Sequence, residues 1–128
     1  MIYTSYFAKI KIIANPISIC GKAPDWYTGF QYKKLAPKYD FFMEYKEGIK
    51  NSKSDHDRKL CEDIYTENFY SQVLSHLDAS SVVMELIDFY NSDNVTLLCY
   101  EKPTDFCHRH IVASWLNDNG FECKELTV

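Results

Sequence analysis

Asn94-Val-Thr-Leu-Leu-Cys-Tyr-Glu-Lys-Pro-Thr-Asp-Phe-Cys-His-Arg-His110 runs directly into Ile111-Val-Ala-Ser-Trp-Leu-Asn-Asp-Asn-Gly120. Val95 to Tyr100 is nearly all apolar and does not alternate. Such a run suits a strand covered on both faces, the usual state of a central strand in a parallel sheet. The polar break from Asn91 to Asn94 precedes it. Pro103 has no N–H to give to a ladder and closes the strand. Thr104 or Asp105 is placed to cap a following helix by accepting a bond from an unpaired backbone N–H. Ile111, Val112, Trp115 and Leu116 share one helical face, which therefore packs inward. Gly120 stands where a helix end often needs positive φ. The stretch predicts a buried strand, a short turn and a helix.

The polar groups gather at that turn. Cys99 ends the strand and Glu101 follows it. With Asp105 as cap, Cys107 and His108 fall in the first helical turn, four residues before Ile111 and Val112, and lean toward the buried side. His110 shares the solvent side with Ser114. Open α/β sheets bind ligands outside the carboxyl ends of their strands. A helix N-terminus there adds free N–H groups and positive partial charge. Arg109 adds a planar cation suited to phosphate or carboxylate. The expectation is an anion pocket with Cys107 as a low-pKa thiol. Its catalytic candidates are Cys107, His108, Arg109, Cys99 and Glu101, with Lys22 and Arg109 as ligand-binding cations.

At 128 residues the chain reads as a single domain, 1–128, with room for a core. The net charge of −4 argues against bulk nucleic acid as the main partner. No apolar run is long enough for a membrane span, and the first residues lack the pattern of a signal peptide. Five cysteines without scaffold spacing point to a reducing, cytoplasmic setting.

Ile2 to Phe7 and Pro16 to Cys20 read as strands, with Ala8 to Ile13 ambiguous between them. Lys22 to Tyr45, rich in aromatics and lysines, reads as a packed excursion with short helical turns; long ordered loops in small domains are often functional. Its aromatic surface is also a candidate homodimer interface. Asp57 to Leu77 predicts a helix, because Cys61, Tyr65, Phe69, Val73 and Leu77 recur every four residues. Asp78 or Ser80 caps the next helix, with Val83, Leu86, Ile87 and Tyr90 on its inner face. Phe121 to Val128 predicts a closing strand, although its alternation slips after Cys123. The order predicts a compact three-layer α/β domain with a mainly parallel sheet and flanking helices.

Leu97-Leu98-Cys99-Tyr100-Glu101-Lys102 and Phe106-Cys107-His108-Arg109 resemble the family called domain of unknown function 488, with its Leu-Cys-x-Glu element and its Cys-His-Arg opening a helix. The resemblance takes in the whole chain, with Tyr3-Thr4-Ser5 and Ile17-Ser18-Ile19 as the first two strands. Where the family often carries an arginine and a proline after the second strand, this chain has Lys22 and Pro24. The resemblance implies a compact α/β fold and no particular activity.

Three function classes remain open on the residues. One is an enzyme with a Cys107 thiolate nucleophile, Arg109 on an anionic group, His108 or Glu101 moving protons, and a small anionic or nucleotide-like ligand. Another is a zinc or iron site at Cys99, Cys107 and His108. The third is a nucleotide or nucleic-acid module using Arg109, lysines and the aromatic excursion. Cys20, Cys61 and Cys123 read as packing residues. Glycine-rich phosphate loops, Cys-x-x-Cys pairs and the Cys-x5-Arg phosphatase spacing are absent from the sequence.

Overall fold

Val95–Cys99 forms the third of five strands in an all-parallel sheet, and every one of its residues is buried. The structure is a computed structural model and describes residues 1–127. In chain order the strands are β1 (Ile2–Tyr6), β2 (Pro16–Ser18), β3 (Phe30–Gln31), β4 (Val95–Cys99) and β5 (Cys123–Glu125). They lie in the order β3-β2-β4-β1-β5, each hydrogen-bonded to its neighbours. Successive strand side chains point to opposite faces, so a strand buried throughout is covered on both. The helices α1 (Tyr39–Asn51), α2 (Asp55–Gln72), α3 (Ala79–Tyr90) and α4 (His108–Asp118) flank the sheet. Both α3 and α4 pack against β4, and α2 packs against α1 and α4. The expected α/β domain with a parallel sheet and flanking helices is what forms.

Local chemistry sets the helix ends. The Ser54 hydroxyl accepts from the Asp57 N–H and starts α2. Asp78 accepts from both the Ser81 N–H and its hydroxyl at the start of α3, as expected of an N-cap. Asn91 closes α3 in the left-handed region at φ 49, and Gly120 takes φ +86 just past α4.

Four boundaries differ from the sequence expectations. The helix after Pro103 begins at His108, not near Asp105: Cys107 is its N-cap, in extended conformation, and neither Thr104 nor Asp105 caps it. The residues between strand and helix are spent on a turn closed by Asp105 N–H to the Lys102 carbonyl. The helix expected through Leu77 ends at Gln72, and a separate 3-10 turn spans Leu74–His76. The supposed irregular excursion contains β3 and then α1. That helix is hard to see in sequence because Phe41 is its one buried residue. Its Gly48 faces α2 so closely that an added Cβ would stand 2.8 Å from the Cys61 sulfur. The closing strand is confined to Cys123–Glu125, and Val128, the last residue of the expected strand, lies outside the described residues.

Parallel register aligns the carboxyl ends of β2 and β4. Ser18 lies beside Leu98, and the Ile19 N–H bonds the Leu98 carbonyl at 3.1 Å. The residues leaving the two strands therefore emerge side by side at the carboxyl edge of the sheet, with Cys20 level with the end of β4.

Candidate active site

Cys99, at the end of β4, and Cys107 with His108, at the start of α4, converge at that edge. Their ligand-type atoms all lie within 4.8 Å of one another, and all three residues are buried. The Cys99 sulfur is 3.6 Å from His108 Nδ1 and 3.4 Å from Nε2. His108 Nε2 is 2.8 Å from the Ile19 carbonyl, which fixes it as the N–H that donates. The ring also lies against Phe69 of α2, with centroids 5.6 Å apart. The imidazole is thus held between β2, β4 and α2.

Charge separates within this cluster. Cys107 is drawn well below the ordinary thiol range, first by the Cys99 thiol beside it, with burial working against the shift, and then by His108. The Arg109 backbone N–H helps in the same direction, although the sulfur does not form a full cap bond. Burial disfavours a charged His108, but the Cys107 sulfur, helped by Cys20 and the Ile19 carbonyl, raises the imidazole pKa. Cys99 goes the other way: burial first, then the neighbouring sulfurs, keep it a thiol. These shifts favour a thiolate at Cys107 and an imidazolium at His108, with Cys99 kept as a neutral thiol against the imidazole.

Arg109 is turned into the protein interior. Its residue exposure is 0 %, and its Nε and Nη2 donate to the two Glu125 carboxylate oxygens at 3.1 and 3.0 Å. Its Nη1 donates to the Glu101 backbone carbonyl at 2.7 Å, so the contact with Glu101 is to the main chain and the ionic partner is Glu125. The Thr4 hydroxyl also donates to Glu125 Oε1, at 2.6 Å. This network ties the strand–helix turn to β1 and β5. His110, expected on the solvent side with Ser114, is half-buried, and its Nε2 has no hydrogen-bond partner among the described residues.

A cavity of about 430 Å³ opens beside the cluster, and Cys20, Lys22, Tyr39, Phe42, Tyr100, Glu101 and His108 are among its lining residues. Cys107 lies behind this wall, 4 % exposed. Glu101 sits at the lip. The residue is exposed as a whole, yet partial burial of its carboxyl, followed by the Cys107 charge, pushes its pKa up to about 7. The Tyr100 hydroxyl donates to the Lys22 carbonyl at 2.6 Å and closes one side of the opening.

The family model described as the active DUF488-N3 subclade matches residues 8–120. The chain belongs to this family. The DUF488-N3 match takes in Cys20, Lys22 and every residue from Cys99 to Arg109 that builds the cluster, and stops short of Glu125. No curated protein and no solved structure matches the chain.

Sequence reasoning grouped Cys99, Glu101, Cys107 and His108, and the fold brings them together. It missed Cys20 and Glu125. The signal for Cys20 was its position just past a strand whose parallel neighbour ends in Cys99. The signal for Glu125 was the slip in alternation after Cys123, which turns a carboxylate toward Arg109.

Proposed function

We propose that this chain is a thiol-dependent enzyme acting on a small anionic ligand held in the cavity at the carboxyl ends of β2 and β4. One observation carries this reading: His108 lines the cavity while contacting the cysteine cluster behind it. Cys107 supplies the thiolate nucleophile and His108 carries the proton. Glu101, with a pKa of about 7, suits proton exchange near neutrality. Lys22 adds positive charge at the opening. Cys99 remains protonated and steadies the Cys107 charge. Arg109 is a positioning residue, holding the first turn of α4 through Glu125. The reaction class is nucleophilic transfer or hydrolysis through a covalent thio-intermediate. The family's description as an active subclade is in keeping with this.

Alkylation at neutral pH, mapped by mass spectrometry, tests the proposal. Cys107 should react faster than a free cysteine and slow about tenfold or more in His108→Asn. Alkylation of every cysteine no faster than a free thiol would overturn it.

A second reading has its own support. Two sulfurs and an imidazole within 4.8 Å suit zinc or iron with one position left for a ligand. The bond from His108 Nε2–H to the Ile19 carbonyl is the outer support usual for a metal-bound imidazole, leaving Nδ1 as the donor. Stoichiometric metal in the purified protein, lost in Cys99→Ala, would favour this reading over the first.

A further inference from the structure

We propose that the ligand is a nucleoside phosphate, with its base in the first cavity and its phosphate in a second, basic cavity across Pro37. The inference rests on the first cavity as the ligand site but not on the thiol chemistry beside it.

The second cavity measures about 400 Å³, and Lys33, Lys34, Lys38, Gln72 and His76 supply its polar lining. No acidic residue is part of its lining among the described residues. Lys34 is paired with Glu85 at 3.0 Å, whereas Lys33 and Lys38 have no carboxylate in ion-pair range among the described residues. In a chain of net charge −4, two lysines without an ion-pair partner around one hollow make a local reversal of sign. An anion is the ligand that such a lining selects.

The two cavities are neighbours. Pro37 lines both. Lys38 lines the second and Tyr39 the first, and consecutive Cα atoms stand about 3.8 Å apart. A ligand that fills both must be bipartite, with one end charged and the other suited to aromatic walls. The first cavity offers the rings of Tyr39, Phe42 and Tyr100. The Tyr100 ring is pinned by its hydroxyl bond to Lys22 and by Phe7, with centroids 5.0 Å apart. A fixed ring beside an open space is a ready stacking surface for a base. His108 in the first cavity is committed to the Cys107 sulfur, which leaves Lys22 as the cation there for a doubly charged phosphate, and the second cavity supplies the remainder.

Calorimetry on the full chain tests this. The probes are adenosine, guanosine, cytidine and uridine monophosphates, the four nucleosides and inorganic phosphate. At least one monophosphate should bind about tenfold or more tightly than its nucleoside, as expected of charge-assisted bonds to two lysines. In a Lys33→Ala, Lys38→Ala double variant that advantage should vanish while nucleoside affinity stays unchanged. Both lysines are exposed, so the variant keeps its fold. Phe42→Ala should weaken nucleoside and nucleotide alike.

The inference is overturned if no nucleotide binds, if nucleoside and nucleotide bind equally, or if the double variant keeps the difference. A short single-stranded oligonucleotide with a 5′-phosphate separates the sources. Tighter binding than the mononucleotide assigns the phosphate to a nucleic-acid end, and equal or weaker binding assigns it to a free nucleotide. Nucleotide binding with an ordinary Cys107 thiol would sink the proposed chemistry and keep this site. A Cys107 thiolate without nucleotide binding would do the reverse.

Discussion

Replacing Glu125 by alanine strands the Arg109 guanidinium. Arg109 is fully buried, and both oxygens of Glu125 are engaged with it, while the Glu125 side chain itself keeps 21 % exposure. Removing one partner of a buried pair costs about 3–5 kcal/mol, because the remaining charge is left without compensation. The partial exposure of Glu125 lets water reach the gap and places the cost near the lower end, at about 3 kcal/mol. The Thr4 hydroxyl loses its acceptor as well, adding about 1 kcal/mol. For a chain of this size the sum lowers Tm by roughly 10–15 °C. Urea unfolding followed by circular dichroism measures the free energy directly. The exposed Lys59–Asp63 pair is the control: at 69 % and 58 % side-chain exposure, Asp63→Ala should cost under about 1 kcal/mol. An Arg109→Met, Glu125→Leu double variant, which removes both charges together, should recover most of the loss. A cost below about 1 kcal/mol for Glu125→Ala would refute the buried network as the fastening of the strand–helix turn.

Two further substitutions probe the frame around it. Leu98→Ala, at a fully buried position of the central strand, should cost about 2–5 kcal/mol in the same urea assay. Gly120→Ala should destabilise by about 1 kcal/mol or more; nothing stands within 4 Å of the added Cβ, so the whole effect comes from φ +86 and Gly120→Asn should cost less.

How much of the molecule was legible in its sequence depends on the range of each interaction. The central strand was readable because burial on both faces leaves a run from Val95 to Cys99 that is apolar but for Thr96. The cluster was readable because Cys99, Cys107 and His108 lie nine residues apart or less, on a strand and the helix after it. The start of α4 was misread because Asp105 is a good cap by type, but its N–H closes a turn onto the Lys102 carbonyl and Cys107 takes the cap position instead. The α1 helix was hidden by a surface rich in exposed and half-buried aromatics, which carries no strong period. Cys20 and Glu125 came from partners 79 and 16 residues away, through strand order and register that no local pattern encodes. The second, basic cavity likewise depends on how α2 and the 3-10 turn after it meet Lys33 to Lys38.

The most direct measurement is a titration of Cys107 by ultraviolet thiolate absorbance, comparing the protein with Cys107→Ser. Burial opposes ionisation of a thiol, but here Cys99 and His108 pull the Cys107 pKa down while His108 is pushed up. The stability Cys107 contributes is present above the unfolded thiol value and drains as pH falls through the lowered folded value. That of His108 is full below the unfolded imidazole value and is lost as pH rises through its raised one. Both shifts favour the charged pair over the neutral one. One equivalent of thiolate should persist at about pH 6, where an ordinary thiol is less than about 1 % ionised, and it should be missing from Cys107→Ser. A thiolate signal that appears only above about pH 8, equal in both proteins, would contradict the thiolate–imidazolium pair on which the proposed chemistry depends.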